Sequence, residues 1–226
     1  MKESEGVGEG GASGAPEAVA RPWIPWATLA AVAAILFLRK PEALLRPEFW
    51  YEDGSVFFAD ARERGIGSLF VPYAGYLHFF PRLVAWLATA FPVVAAPALY
   101  NGAALLAVLG VCALLFHPRL DLPWRPLLAL CVALAPDAWT SFLNLTHAQW
   151  YLSLLLVLLC RKGAPETAAG AALDLAVLAI VGLTGPFSIF AFPMFALRWA
   201  AAIDVRTRVR RADEDLRDIC GDGRIG

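Results

Sequence analysis

The stretch Val93–Phe116, VVAAPALYNGAALLAVLGVCALLF, carries no charged side chain from end to end. A helix that crosses a bilayer needs about 20 largely apolar residues, and this stretch supplies them without interruption. Five further apolar segments share its character: Trp23–Leu38, Pro126–Phe142, Leu143–Cys160, Ala168–Leu183 and Phe187–Ile203. Hydrophobic residues make up 59% of the chain and charged ones only 17%, where a soluble domain carries about a quarter charged. The pattern predicts an all-α fold, a polytopic transmembrane bundle of about six spans in the cell membrane.

A shorter apolar segment, His78–Phe91, contains Arg82 and is bracketed by Pro81 and Pro92. Its length predicts an amphipathic helix lying at the interface, with a true span as the alternative. Ser55–Arg64 places Phe57, Phe58 and Ala61 on one helical face and predicts a second interfacial helix that seals its loop onto the bilayer. The expected organisation is a disordered cytoplasmic N-terminus over 1–21 and a transmembrane domain over 22–203 that includes an outer loop, 39–92. A polar cytoplasmic tail of no evident fold, 204–226, follows. The N-terminal stretch lacks the basic start and cleavage site of a signal peptide, so the first span is expected to be retained.

Basic residues orient the bundle. Arg119 and Arg125, then Arg161 and Lys162, then Arg206, Arg208, Arg210 and Arg211 fall on one side after consecutive crossings, the cytoplasmic side by the positive-inside rule. Arg39 and Lys40 dissent, and would join the others if His78–Phe91 crossed. Segment length argues for keeping the loop outside. The outer face then gathers the first loop, the turn Ser141–Trp150 and the turn Leu183–Ser188. These hold most of the unusual polar and aromatic residues, Thr184 and Ser188 among them.

The net charge of −1 implies no nucleic-acid partner. Cys112, Cys131, Cys160 and Cys220 have neither metal-ligand spacing nor a disulfide pattern. No Gly-rich phosphate loop or nucleophile elbow is present.

The acidic pair Glu52-Asp53, in Phe49-Trp50-Tyr51-Glu52-Asp53-Gly54, is the leading candidate site. A carboxylate there could take a proton from an acceptor hydroxyl. Alternatively, Asp53 caps the helix that begins near Ser55. A divalent cation between the two acids is compatible with their chemistry, although the sequence offers few further ligands. His78 and Arg82 stand one helical turn apart, and such a pair suits a phosphate. Headgroup anchoring, with Tyr73 and Tyr76 as aromatic-belt residues, is the competing reading.

Counting back about 20 residues from Cys160 puts Asn144 and His147 at headgroup depth, on one helical face with Tyr151. Asn144, His147 and Gln149 either line the same cleft or join helices by hydrogen bonds. Asp137 reads as a solvated helix end, and Asn101 and Asp174 as structural.

This layout resembles the N-terminal module of GT-C-type integral membrane glycosyltransferases, which use polyprenyl-phosphate-linked sugars. An acidic pair early in the first outer loop, an interfacial helix and then His78-Phe79-Phe80-Pro81 follow the family's order. The resemblance spans roughly 20–203. It implies Asp53 or Glu52 as the catalytic carboxylate, with His78 and Arg82 on the donor phosphate and Tyr76, Asn144, His147 and Gln149 lining the site. Such enzymes usually have eight or more spans, so a truncated or fragmentary relative, or one completed by a membrane partner chain, is expected. The competing functions are a transporter or flippase-like protein, and a non-catalytic membrane assembly protein.

Overall fold

A computed structural model of the protein describes residues 22–136 and 143–221. The expectations for 1–21, for Asp137 and for the last residues of the tail lie outside the described residues. Those described form helices and turns with two isolated bridges and no strand. In chain order the helices are α1 (Ile24–Arg39), α2 (Glu42–Leu45), a π-helical turn (Asp53–Phe58) running into α3 (Ala59–Arg64), and a 3-10 turn (Gly65–Phe70). After these come α4 (Phe79–Ala88), a 3-10 turn (Val93–Ala95), α5 (Ala96–Leu114), α6 (Arg125–Leu134), α7 (Ala148–Arg161), α8 (Ala168–Gly182) and α9 (Phe187–Gly221).

Helix α5 is the centre of the bundle. It packs on α1, α4 and α7, with α6 against α1 and with α8 and α9 against α7. Small residues allow the close approach, because Ala96, Ala104, Val108 and Cys112 on α5 are wholly buried, as are Val32 and Leu36 on α1 and Ala129 and Ala133 on α6.

Two helical stretches, Val93–Leu114 and Phe187–Val205, are long and apolar enough to cross a membrane. The other apolar helices are shorter. Ten residues, as in α6, rise only about 15 Å.

Three elements differ from their sequence reading. The expected helix over Leu143–Cys160 begins only at Ala148, after a non-helical turn. The polar tail is not shapeless, since α9 continues through it to Gly221. And the Phe57, Phe58 and Ala61 face is not left for lipid. It is buried in the protein, where Phe58 meets Tyr100 and Phe57 meets Tyr73 and His78. Periodicity identifies an apolar face but not what covers it.

Helix α4 does not carry the chain to the far end. It starts at His78, beside Thr184. The chain then turns, and α5 has its first residues back at the same end, with the Asn101 amide donating to the Ala43 carbonyl at 2.7 Å. The long loop and the turns before α7 and α9 therefore share one end of the bundle, called here the loop end. The turns after α5 and α7 share the other, where the Arg119 guanidinium and the Gly163 backbone bond to each other.

Candidate functional site at the loop end

Asp53 lies in the π-helical turn and is completely buried. It does not cap its own helix. Its carboxylate reaches across the bundle, accepting the Thr146 hydroxyl at 2.6 Å and the Leu145 amide at 3.3 Å. The late start of α7 follows, because the Leu145 amide donates to Asp53 rather than to a preceding helical turn and Leu143 before it has φ +53°, outside the right-handed helical range. The close approach of the segment needs Gly54, where a Cβ would lie 3.0 Å from the Phe49 ring.

No cation pairs with Asp53 among the described residues. Burial pushes its affinity for a proton up to about 6, and the bonds from Thr146 and Leu145 only partly offset that. Glu52 is half-buried beside it.

Arg82 is the reverse case, a wholly buried cation. One guanidinium nitrogen reaches Asp60 at 3.0 Å, and the group lies 5.1 Å from the centre of the Phe57 ring. Its Nε and second terminal nitrogen have no hydrogen-bond partner. The Tyr100 hydroxyl and the Gln149 side-chain oxygen are likewise buried and unpartnered. Buried polar groups without a hydrogen-bond partner are uncommon in folded proteins.

His78 stacks on Tyr76 at 4.4 Å and touches the rings of Phe57 and Tyr73. Burial and the nearby Arg82 push its proton affinity down to about 4, so the imidazole is neutral near pH 7. The loop that carries it is fastened to the turn before α9. The Phe80 amide donates to the Thr184 hydroxyl at 2.9 Å, and the Gly185 amide donates to the Leu77 carbonyl at 2.9 Å. Gly185 has φ +90°, and a Cβ there would sit 2.3 Å from Gln149. Gln149 in turn donates to the Tyr76 hydroxyl at 3.2 Å.

Asn144 and His147 bond to each other at 3.0 Å within the turn rather than along a helical face, and His147 also meets Trp50. The structure thus brings Asp53, His78, Arg82, Tyr76, Asn144, His147 and Gln149 to one end, in two linked groups. One is Asp53 with the Leu143–His147 turn. The other is Arg82 and His78 with Gln149 and the α8–α9 turn.

A cavity of about 250 Å³ opens beside the first group, lined by Lys40, Arg46, Glu48, Trp50, Asn101 and Leu143 among others. Asp53 is not among its walls. The Glu52–Asp53 pair does not fit a divalent cation, since both Asp53 oxygens already accept hydrogen bonds and no trio of metal-ligating side chains occurs among the described residues.

Sequence reasoning passed over Asp60 and Tyr100 and gave Thr146 no role of its own. One signal was available for Asp60, because an arginine in a short apolar segment demands a carboxylate within reach. Tyr100 and Thr146 carried no comparable signal, as the residues they meet, Phe49 and Phe58 for the one and Asp53 for the other, are distant in sequence.

No family model, curated protein or solved structure matches the chain.

Proposed function

We propose that the chain is a polytopic membrane protein that acts on a polyprenyl-phosphate-linked sugar at the outer membrane face, in the manner of GT-C glycosyltransferases. The membrane part is supported by the outward surface of α9, where Ile189, Phe190, Phe192, Leu197 and Trp199 are each about 70% exposed, from 69% to 74%. An apolar face of that extent needs a cover, and lipid provides it. The short α7 fits the same reading. Non-helical backbone is tolerated at membrane depth where protein buries it, and Leu143, Asn144 and Leu145 are buried.

The observation that carries the catalytic part is Asp53. It is a carboxylate with no cation beside it, held by Thr146 and by the Leu145 amide, with a proton affinity raised to about 6. Such a group suits a proton acceptor that works near neutral pH. In the proposed reaction the acceptor oxygen bonds to the anomeric carbon and the carbon–phosphate oxygen bond breaks. The electron pair leaves with the polyprenyl phosphate, and the acceptor proton passes to Asp53. The two open nitrogens of Arg82 are donors suited to that phosphate. Asp53 and Arg82 are both enclosed, so this reading requires the loop that carries Tyr76 to part from Gln149 for substrate to enter.

A second reading rests on the same burial. With both oxygens engaged, Asp53 would be a structural tie between the first loop and α7. A transfer assay in membranes with labelled polyprenyl-phosphate sugars separates the two. Proton acceptance predicts that Asp53→Asn lowers transfer by about a hundredfold or more at unchanged expression. Transfer that survives the substitution leaves only the tie.

A further inference from the structure

The loop end is not the only opening in the bundle. Between α5, α6 and α7, on the side away from Asp53, runs an apolar groove of about 420 Å³. It exists because α6 leans on α1 instead of closing against α7. Val111 and Leu115 form its floor, and Leu128, Leu154 and Val157 stand exposed along its walls. One charged residue lines it, Arg161, at the last turn of α7.

The basic residues around that mouth distinguish it from an ordinary membrane-facing crevice. Arg119 and Lys162 are both tied to Asp174, at 2.8 and 2.6 Å. Arg125 donates to the carbonyls of Leu120 and Leu122, and Arg198 donates to those of Cys160 and Lys162. The Arg161 guanidinium, by contrast, is exposed and makes no ion pair or side-chain hydrogen bond with another described residue. Trp124 stands 75% exposed one residue before α6, close in sequence to the groove's Leu122 and suited to a headgroup boundary.

We propose that this groove is a binding site for an anionic phospholipid, with one acyl chain between α6 and α7 and the headgroup phosphate paired to Arg161. The inference rests on the membrane reading above but not on Asp53 or on sugar transfer. The groove supplies apolar contact, which any lipid shares, and Arg161 supplies the selection by charge, as basic pockets between spans do on the cytoplasmic side.

The test uses the full chain. Its retention in alkali-washed membranes is measured first, because release would remove the membrane reading itself. The retained protein is then purified in mild detergent and titrated with phosphatidylglycerol or phosphatidylcholine, with bound lipid counted by native mass spectrometry. The expected result is a preference for phosphatidylglycerol. Arg161→Ala should weaken that lipid by about fivefold, the worth of one basic side chain, and weaken phosphatidylcholine, whose ammonium already offsets its phosphate, clearly less. Val157→Trp, which fills the groove from its exposed wall, should reduce binding of both lipids. Melting temperatures of the variants identify any that fail to fold, and Leu154→Trp then replaces Val157→Trp. Equal retention of the two lipids by the wild type, or no response to Arg161→Ala, overturns the proposal while leaving the membrane reading in place.

Discussion

The two ends of the bundle handle charge in opposite ways. At the end away from the loop, Asp174 sits 22% exposed between Arg119 and Lys162, and every partner in that trio is satisfied. At the loop end a carboxylate, Asp53, is wholly buried with no cation, and a guanidinium, Arg82, is wholly buried with one partner and two open nitrogens. The first arrangement fastens helices at little expense. The second leaves charge where charge is costly, and proteins keep such groups mainly where they bind or react. The contrast supports the proposal that function lies at the loop end.

The largest effect is expected from removing the single partner of the buried cation. Asp60→Asn leaves Arg82 enclosed and unpaired, which should cost about 3 kcal/mol, whereas Arg82→Met leaves only a part-exposed aspartate and should cost clearly less. Thermal unfolding of both variants in the same detergent checks the order. If Arg82→Met proved the more damaging, the guanidinium would be a structural pillar and not an open donor.

Next comes Gly185→Ala. It forces a left-handed residue and drives a methyl into Gln149, so a loss of about 2 kcal/mol is expected, together with release of the Tyr76 loop. Hydrogen exchange at residues 73–80 would report the release.

Stability against pH sharpens the comparison further. Asp53 binds its proton more tightly folded than unfolded, so it makes the fold less stable as pH rises from about 4 through 6. His78 binds its proton less tightly when folded, so it makes the fold less stable as pH falls from 6.5 towards 4. The two slopes oppose each other in that window. Asp53→Asn should therefore leave a steeper acid loss, and His78→Gln a steeper alkaline one. Unfolding midpoints across pH 4–7 test both.

The smallest effect belongs to the satisfied end. Arg119→Gln should cost about 1 kcal/mol, shrinking in high salt, because its pair with Asp174 is part-exposed on both sides and Lys162 still satisfies the carboxylate.

Much of the fold was legible because apolar runs and turns mark helices directly. Three of the six segments, those of α1, α5 and α8, appear as helices near their expected limits; α6 stops at Leu134, short of Phe142, and α9 runs past Ile203 to Gly221. The segment from Leu143 failed at its start, since Asp53 lies 92 residues away from Leu145 and nothing local announces that bond. The Phe57–Phe58 face misled because lipid and protein cores ask for the same residues. At the site, the sequence suggested three loops gathering on one face, and Asp53, His78 and Gln149 do meet partners drawn from those loops. The depth at which they are buried was not legible, because burial is set by packing from distant segments.

The most direct test of the account is the titration of Asp53 itself. Infrared difference spectra of the chain, in membranes, follow protonated buried carboxyl groups across pH 4–8 and compare the wild type with Asp53→Asn. The account predicts a carboxyl band that titrates near pH 6 and is missing from the variant. A spectrum that is identical in the two proteins, or a midpoint in the ordinary carboxylate range near 4, would contradict it.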